Sequence, residues 1–137
     1  MACFIANLPG KSIHNPSVPT HFMWVQRVAG QVSIYHENLV LAVSNDALRV
    51  IEVGTDVYEP VLYLPSRDIC TDLRSGQLTT HCPLKGDASY FDLVDAAGSI
   101  IVANAAWSHP EPLDIAASLQ GHVAFDPLHF AIETAPL

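Results

Sequence analysis

Thr79-Thr80-His81-Cys82-Pro83-Leu84-Lys85-Gly86 gathers an imidazole, a thiol, an ammonium and two hydroxyls into eight consecutive residues. Pro83 removes a backbone donor and Gly86 permits positive φ, so the segment is expected to be irregular. Irregular backbone on a rigid scaffold is where sites tend to be built. The same residues also suit a structural turn whose Thr and His side chains satisfy loop backbone groups. For Cys82 to act as a nucleophile, its thiolate needs a cationic or donor-rich neighbour. His81 is adjacent, and adjacent residues on a strand point to opposite faces. Lys85 is better placed, because a turn at Pro83 can bring it back towards Cys82.

A second cluster runs from Asn104 to Pro112, with Trp107 after a strand and His109 beside it. Trp107 reads either as a core residue with its N–H satisfied or as the aromatic wall of a pocket. Glu52, flanked by Val50, Ile51 and Val53, faces solvent or turns inward to pair with Lys85, since a buried unpaired carboxylate is costly. Glu52, Thr80, His81, Cys82, Lys85, Tyr90, Trp107 and His109 are therefore the candidate ligand-binding residues. The sequence contains no CxxC, HxxxH or HxH, and a structural zinc wants four N or S ligands at fixed local spacing. No metal and no cofactor are expected.

The elements that must hold these residues are short strands. Residues 1–28 carry Pro9, Pro16 and Pro19 with Gly10 and read as an irregular extension, of which Phe22 to Val25 dock on the domain. Residues 29–137 read as a single β domain. Gln31–Tyr35 and Asn38–Val43 form a hairpin signal around His36-Glu37-Asn38. Leu48–Val53, Val61–Leu64, Asp68–Leu73, Ala88–Val94, a buried Ser99–Ala103 and His122–Phe125 read as strands, and Arg74–Leu78 reads as a loop. Leu113–Leu119 reads as two turns of helix, with Ile115 and Leu119 at i, i+4 and Gly121 as the stop. Many short strands and one short helix give a mainly β domain, a sandwich or an open barrel.

Composition narrows the function classes. The 137 residues are 50 % apolar and 15 % charged, enough for one folded domain. Six Lys and Arg stand against 14 Asp and Glu, a formal net charge of −8. Such a surface repels phosphate backbones and anionic membranes, so neither nucleic acid nor membrane is an expected partner. Cys3, Cys70 and Cys82 make no disulfide framework, and no signal segment is apparent, so a cytoplasmic, reduced setting is expected.

Several blocks together are similar to the domain-of-unknown-function family 427, also labelled nucleotidyltransferase family 9. They are Leu48-Arg49-Val50-Ile51-Glu52, Val61-Leu62-Tyr63-Leu64-Pro65, Thr79 to Gly86, Ala88-Ser89-Tyr90, Asn104-Ala105-Ala106-Trp107-Ser108, Glu111-Pro112 and Gly121-His122-Val123-Ala124-Phe125. The resemblance runs from about Val32 to Phe125. The family usually has Tyr where His109 stands, and an aromatic and Pro-Asp where this chain reads Asp126-Pro127-Leu128. The resemblance implies a β-tent, Mss4-like fold: two small antiparallel sheets packed at an angle, with one short helix. Zinc-pinned relatives of that fold use paired CxxC motifs, which this chain lacks. Nucleotidyl transfer normally needs two close metal-binding acids after a Gly-Ser turn. Gly98-Ser99 is present, but no Asp-x-Asp follows it.

The sequence thus points to a small-molecule-binding module with a polar and aromatic pocket, Lys85 favouring an anionic or carbonyl-bearing ligand. The alternatives are a small-metabolite enzyme using His81, Cys82 or Lys85, and a protein–protein module such as a homodimer built on Phe22 to Val25 or on a sheet edge.

Overall fold

The structure is a computed structural model that describes residues 12–136. Two antiparallel sheets account for it. The strands are β1 (Ile13–His14), β2 (Phe22–Arg27), β3 (Gln31–His36), β4 (Leu39–Ser44), β5 (Leu48–Val53), β6 (Val61–Pro65), β7 (Leu73–Cys82), β8 (Gly86–Val94), β9 (Ile100–Ser108), β10 (His122–Phe125) and β11 (Ala131–Ala135). An eight-stranded sheet has the order β1-β2-β5-β6-β10-β9-β8-β7, and a three-stranded sheet has the order β11-β3-β4. The large sheet does not close into a barrel, because β1 and β7 remain as its edges.

Register decides which side chains share a face, since directly opposed residues on paired strands point the same way. Leu48 faces Tyr63, Tyr63 faces Ala124, Ala124 faces Trp107, and Trp107 faces Tyr90. Met23 faces Glu52, and Leu48, Val50 and Glu52 alternate onto that same side of β5. This face forms a core with Met23, Val50, Tyr63, Leu84, Ala116, Leu119 and Ala124. The opposite face carries Leu64, Val123, Phe125 and Ala106 and packs against Val32, Ile34, Leu41 and Ala42 of the small sheet, with Phe130. Apolar side chains that would otherwise meet water are thereby removed on both sides of the large sheet.

The hairpin of β3 and β4 and the strands β5, β6 and β10 lie where sequence periodicity predicts them. Other segments differ, each for a physical reason. Phe22–Arg27, inside the stretch read as irregular, is a full strand paired along β5 from Phe22↔Val53 to Arg27↔Leu48, and it buries Met23 completely. Residues 1–11 of that stretch, Cys3 among them, lie outside the described residues. Asp68–Leu73 is not a strand. Pro65 leads into a 3-10 turn at Ser66–Asp68, and only an isolated bridge, Ala42↔Ile69, follows.

Arg74–Leu78 is not a loop but part of β7, whose register with β8 shifts between Ser75 and Thr79. An edge strand has one free side, so polar residues and a glycine are tolerated there. In β9, Ile100 and Ile101 are exposed rather than buried, at 55% and 43%. β-branching favours the pleat, not burial as such. The expected helix is 3-10 structure over Asp114–Leu119, with non-helical backbone at Ala116. Its buried residues, Ala116 and Leu119, stand three apart, which fits the three-residue period of a 3-10 turn better than a 3.6-residue one. Finally, β11 completes the small sheet against β3. A Cβ on Gly30 would sit 2.5 Å from the Ala135 carbonyl oxygen, so glycine is what admits the end of that strand.

Candidate functional site

The hairpin between β7 and β8 sets the centre of the site. Cys82 and Gly86 pair across it, leaving Pro83-Leu84-Lys85 as the loop. Gly86 adopts φ +99°, and a Cβ there would come within 3.3 Å of both the Glu111 carbonyl oxygen and the Leu113 nitrogen. The Leu113 N–H donates to the Lys85 carbonyl at 3.0 Å. The loop is thus clamped beneath the residues leading into the 3-10 segment. Leu84 fills the core and Lys85 is turned inward, only 8% exposed.

A buried ammonium needs a counter-charge. Lys85 Nζ pairs with Glu52 Oε1, and the same nitrogen lies 3.8 Å from Cys82 Sγ. The other Glu52 oxygen accepts from His21 Nε2 at 2.8 Å. His21 Nδ1 accepts from the Asn15 amide nitrogen at 3.3 Å, which leaves the ring proton on Nε2 for Glu52. The result is a track of polar groups, Asn15–His21–Glu52–Lys85–Cys82, with Asn15 and Lys85 buried and Cys82 half-buried at its end. Burial alone would raise the Glu52 pKa, but hydrogen bonds from His21 and Lys85 and the lysine charge hold it below the usual carboxylate range. Burial would likewise lower Lys85, yet the Tyr63 oxygen, the bond to Glu52 and the Cys82 sulfur keep it above an ordinary lysine. Both groups stay ionised at neutral pH.

Beside this track lies a second group centred on Tyr63, which is 2% exposed. Its hydroxyl accepts from Trp107 Nε1 at 3.2 Å and meets His109 Nε2 at 3.3 Å. Burial raises the Tyr63 pKa above its ordinary value. His109 is 3% exposed, and its Nδ1 is buried without a hydrogen-bond partner. Burial, then the nearby Lys85 charge, pushes its pKa below that of a free imidazole, although the backbone of Gly86 and Asp87 pulls the other way. From Trp107 the line continues to Tyr90, with ring centroids 5.9 Å apart, and to Thr80, whose hydroxyl lies 3.3 Å from the Tyr90 hydroxyl.

Of the eight residues singled out in the sequence, Glu52, Cys82 and Lys85 form one knot, and Trp107 and His109 meet on Tyr63. Tyr90 and Thr80 form the outer margin. His81 stands apart: its side chain is 65% exposed and its Nδ1 bonds the cross-strand Asp87 at 2.7 Å. The alternation that places Cys82 inward directs His81 outward. Three residues were missed. Tyr63 lies within a short apolar strand, and only the register of four neighbouring strands reveals that it joins Leu48 to Trp107. Asn15 and His21 lie in the segment read as irregular.

A cleft of about 250 Å³ lies against His21, lined also by Asn15, Val18, Thr20, Gly54, Thr55 and Tyr58. Among the described residues no group of three or more His, Cys, Asp or Glu side chains is placed to hold a metal ion. No helix among them is long and apolar enough to cross a membrane.

No curated protein matches the chain. A family model described as a domain of unknown function (DUF427) matches residues 24–135. That span runs from within β2 to the end of β11 and takes in every residue of the site except Asn15, Val18, Thr20 and His21. The chain therefore belongs to the DUF427 family.

Proposed function

We propose that the chain is a small-molecule-binding module whose ligand occupies the cleft beside His21. One observation carries this reading: His21 is at once a wall of that cleft and the hydrogen-bond partner of the buried Glu52–Lys85 pair. A surface cleft whose wall is fixed from behind by a buried ion pair is preorganised, which lowers the entropy lost on binding. The polar groups lining the cleft are the Asn15 amide, the hydroxyls of Thr20, Thr55 and Tyr58, and the His21 ring, with no Lys, Arg, Asp or Glu among the lining residues. A compact, uncharged, hydrogen-bonding ligand fits them better than an anion. The volume is below the roughly 300–1,000 Å³ of drug-sized pockets, so the ligand has few heavy atoms. The proposal keeps the β-tent, Mss4-like arrangement and the cytoplasmic setting that the resemblance and the free thiols suggest.

Thermal-shift screening tests it, with separate panels of polyols, amides and short carboxylates. A ligand present at 100 times its Kd adds about 2.7 kcal/mol of stability. The expected result is a saturable rise in Tm from an uncharged panel member, lost in Tyr58→Ala and Thr55→Val. Panels that leave Tm unmoved, or a shift that survives both substitutions, overturn it.

A further inference from the structure

We propose that Cys82 and Lys85 form an oxidative modification site, in which a peroxide drives a covalent sulfur–nitrogen cross-link between the two side chains. The inference is independent of any ligand in the cleft.

The geometry supplies each requirement. Nζ of Lys85 lies 3.8 Å from Sγ of Cys82, so forming a bond asks the two atoms to close by about 2 Å. The hairpin holds them together, since Cys82 pairs with Gly86 and Pro83 stiffens the three-residue loop between. The backbone of Lys85 is tied to Leu113, which fixes the point from which the stem starts, and the pair with Glu52 holds its ammonium inward. Cys82 is half-buried, which leaves a path for a small oxidant. Glu52, in contact with the ammonium, is the base that can take its proton. Cys70 provides the contrast within one chain: it is exposed, and its sulfur sits against the Val40 carbonyl oxygen at 3.6 Å rather than against an amine.

The chemistry balances in two steps. The peroxide transfers one oxygen to the Cys82 thiol, giving a sulfenic acid, while the peroxide is reduced to an alcohol or to water. The sulfur loses two electrons, and the O–O bond breaks. Glu52 then accepts a proton from Lys85 as the nitrogen lone pair attacks the sulfur. The S–N bond forms as the S–O bond breaks. The departing hydroxide takes a second proton from the nitrogen and leaves as water. Relative to the reduced chain, the product has lost two hydrogen atoms and no heavy atom. The cross-link removes the lysine charge, so Glu52 loses its buried partner, and a thiol reductant reverses the change.

The test uses the full chain carrying Cys3→Ser and Cys70→Ser, which excludes disulfides within the chain, and dilute protein, which disfavours those between copies. The protein is treated with hydrogen peroxide, digested with trypsin without reductant and weighed. The chain has no Lys or Arg after Lys85. A cross-linked Lys85 therefore fuses the peptide beginning at Ser75 to the whole C-terminal remainder. The expected result is that fused peptide, lighter by about 2 Da, with cleavage at Lys85 restored by dithiothreitol. In Lys85→Arg, which keeps the charge but is a poor nucleophile, the sulfenic acid persists and dimedone labels Cys82. Normal cleavage at Lys85 after Cys82 has been oxidised overturns the proposal. So does a gain of about 14 Da, which would place an oxygen between the two atoms.

Discussion

Replacing Glu52 by leucine and Lys85 by methionine, singly and together, tests whether the pair is a desolvated unit. Lys85 is 8% exposed, and the Glu52 side chain 19%, so neither charge is free to hydrate when its partner is removed. Breaking a buried pair from one side costs roughly 3–5 kcal/mol. Partial exposure of Glu52 places each single variant near the lower end, about 3 kcal/mol. The double variant removes both charges and leaves only His21 without its acceptor, a loss of about 1–2 kcal/mol. The double loss should therefore fall well short of the two single losses combined, a coupling of about 4 kcal/mol. Urea unfolding followed by tryptophan fluorescence measures all three.

The pH dependence follows from the directions of the shifts. Glu52 sits below its ordinary 4.5, so its contribution is complete above that value and fades as pH falls through the folded pKa. Lys85 sits above its ordinary 10.5, so its contribution is complete below that value and fades as pH rises through the folded pKa. The gap between wild type and double variant should be flat between the two values and shrink outside them. In Glu52→Leu alone, desolvation lowers the lysine pKa, so the deficit should lessen as pH rises. Single losses below about 1 kcal/mol that add without coupling would show that both charges are solvated, and the reasoning built on a buried pair would fail.

Other outcomes follow from neighbouring contacts. Tyr63→Phe takes the partner from Trp107 Nε1–H and from His109 Nε2, and should cost about 1–3 kcal/mol in urea unfolding. His109 is held neutral in the fold, so the unfolded chain binds more protons and wild-type stability should fall as pH drops below 6.5, by at most about 1.4 kcal/mol per pH unit. His109→Gln should flatten that slope when stability is measured from pH 5.5 to 7.5 (roughly one unit either side of the free value). Gly86→Ala forces a side chain into φ +99° and towards the Glu111 and Leu113 backbone, and should cost about 1–3 kcal/mol by the same assay.

The parts of the site legible in the sequence were those fixed by short-range geometry. Alternation set His81 and Cys82 on opposite faces without saying which of them faced inward, and a turn at Pro83 was enough to bring Lys85 back over the thiol. The cost of an unpaired carboxylate named Lys85 as the partner of an inward Glu52. What stayed hidden depends on long-range register. His21 reaches Glu52 only because β2 pairs along β5, and the prolines before it hid a strand that begins immediately afterwards. Tyr63 joins Trp107 to His109 across strands far apart in the chain. The fold shows the same divide. The β3–β4 hairpin is local and was visible, whereas the polar edge strand β7 owes its form to the single neighbour it pairs with.

The small sheet also has a consequence for how the protein is made. Its strands β3 and β11 are separated by about 95 residues of intervening chain. A ribosome adding roughly 5–20 residues per second leaves β3 without that neighbour for several seconds or more. Throughout that interval the nascent hairpin presents an open row of amides and carbonyls, and Phe130 is not yet available to cap the apolar side chains of Val32 and Ile34. Pairing over so long a loop is slow in any case. A chain stalled before residue 130 would be a sticky species, and a holdase that shields the exposed hairpin during translation should raise the yield of native protein.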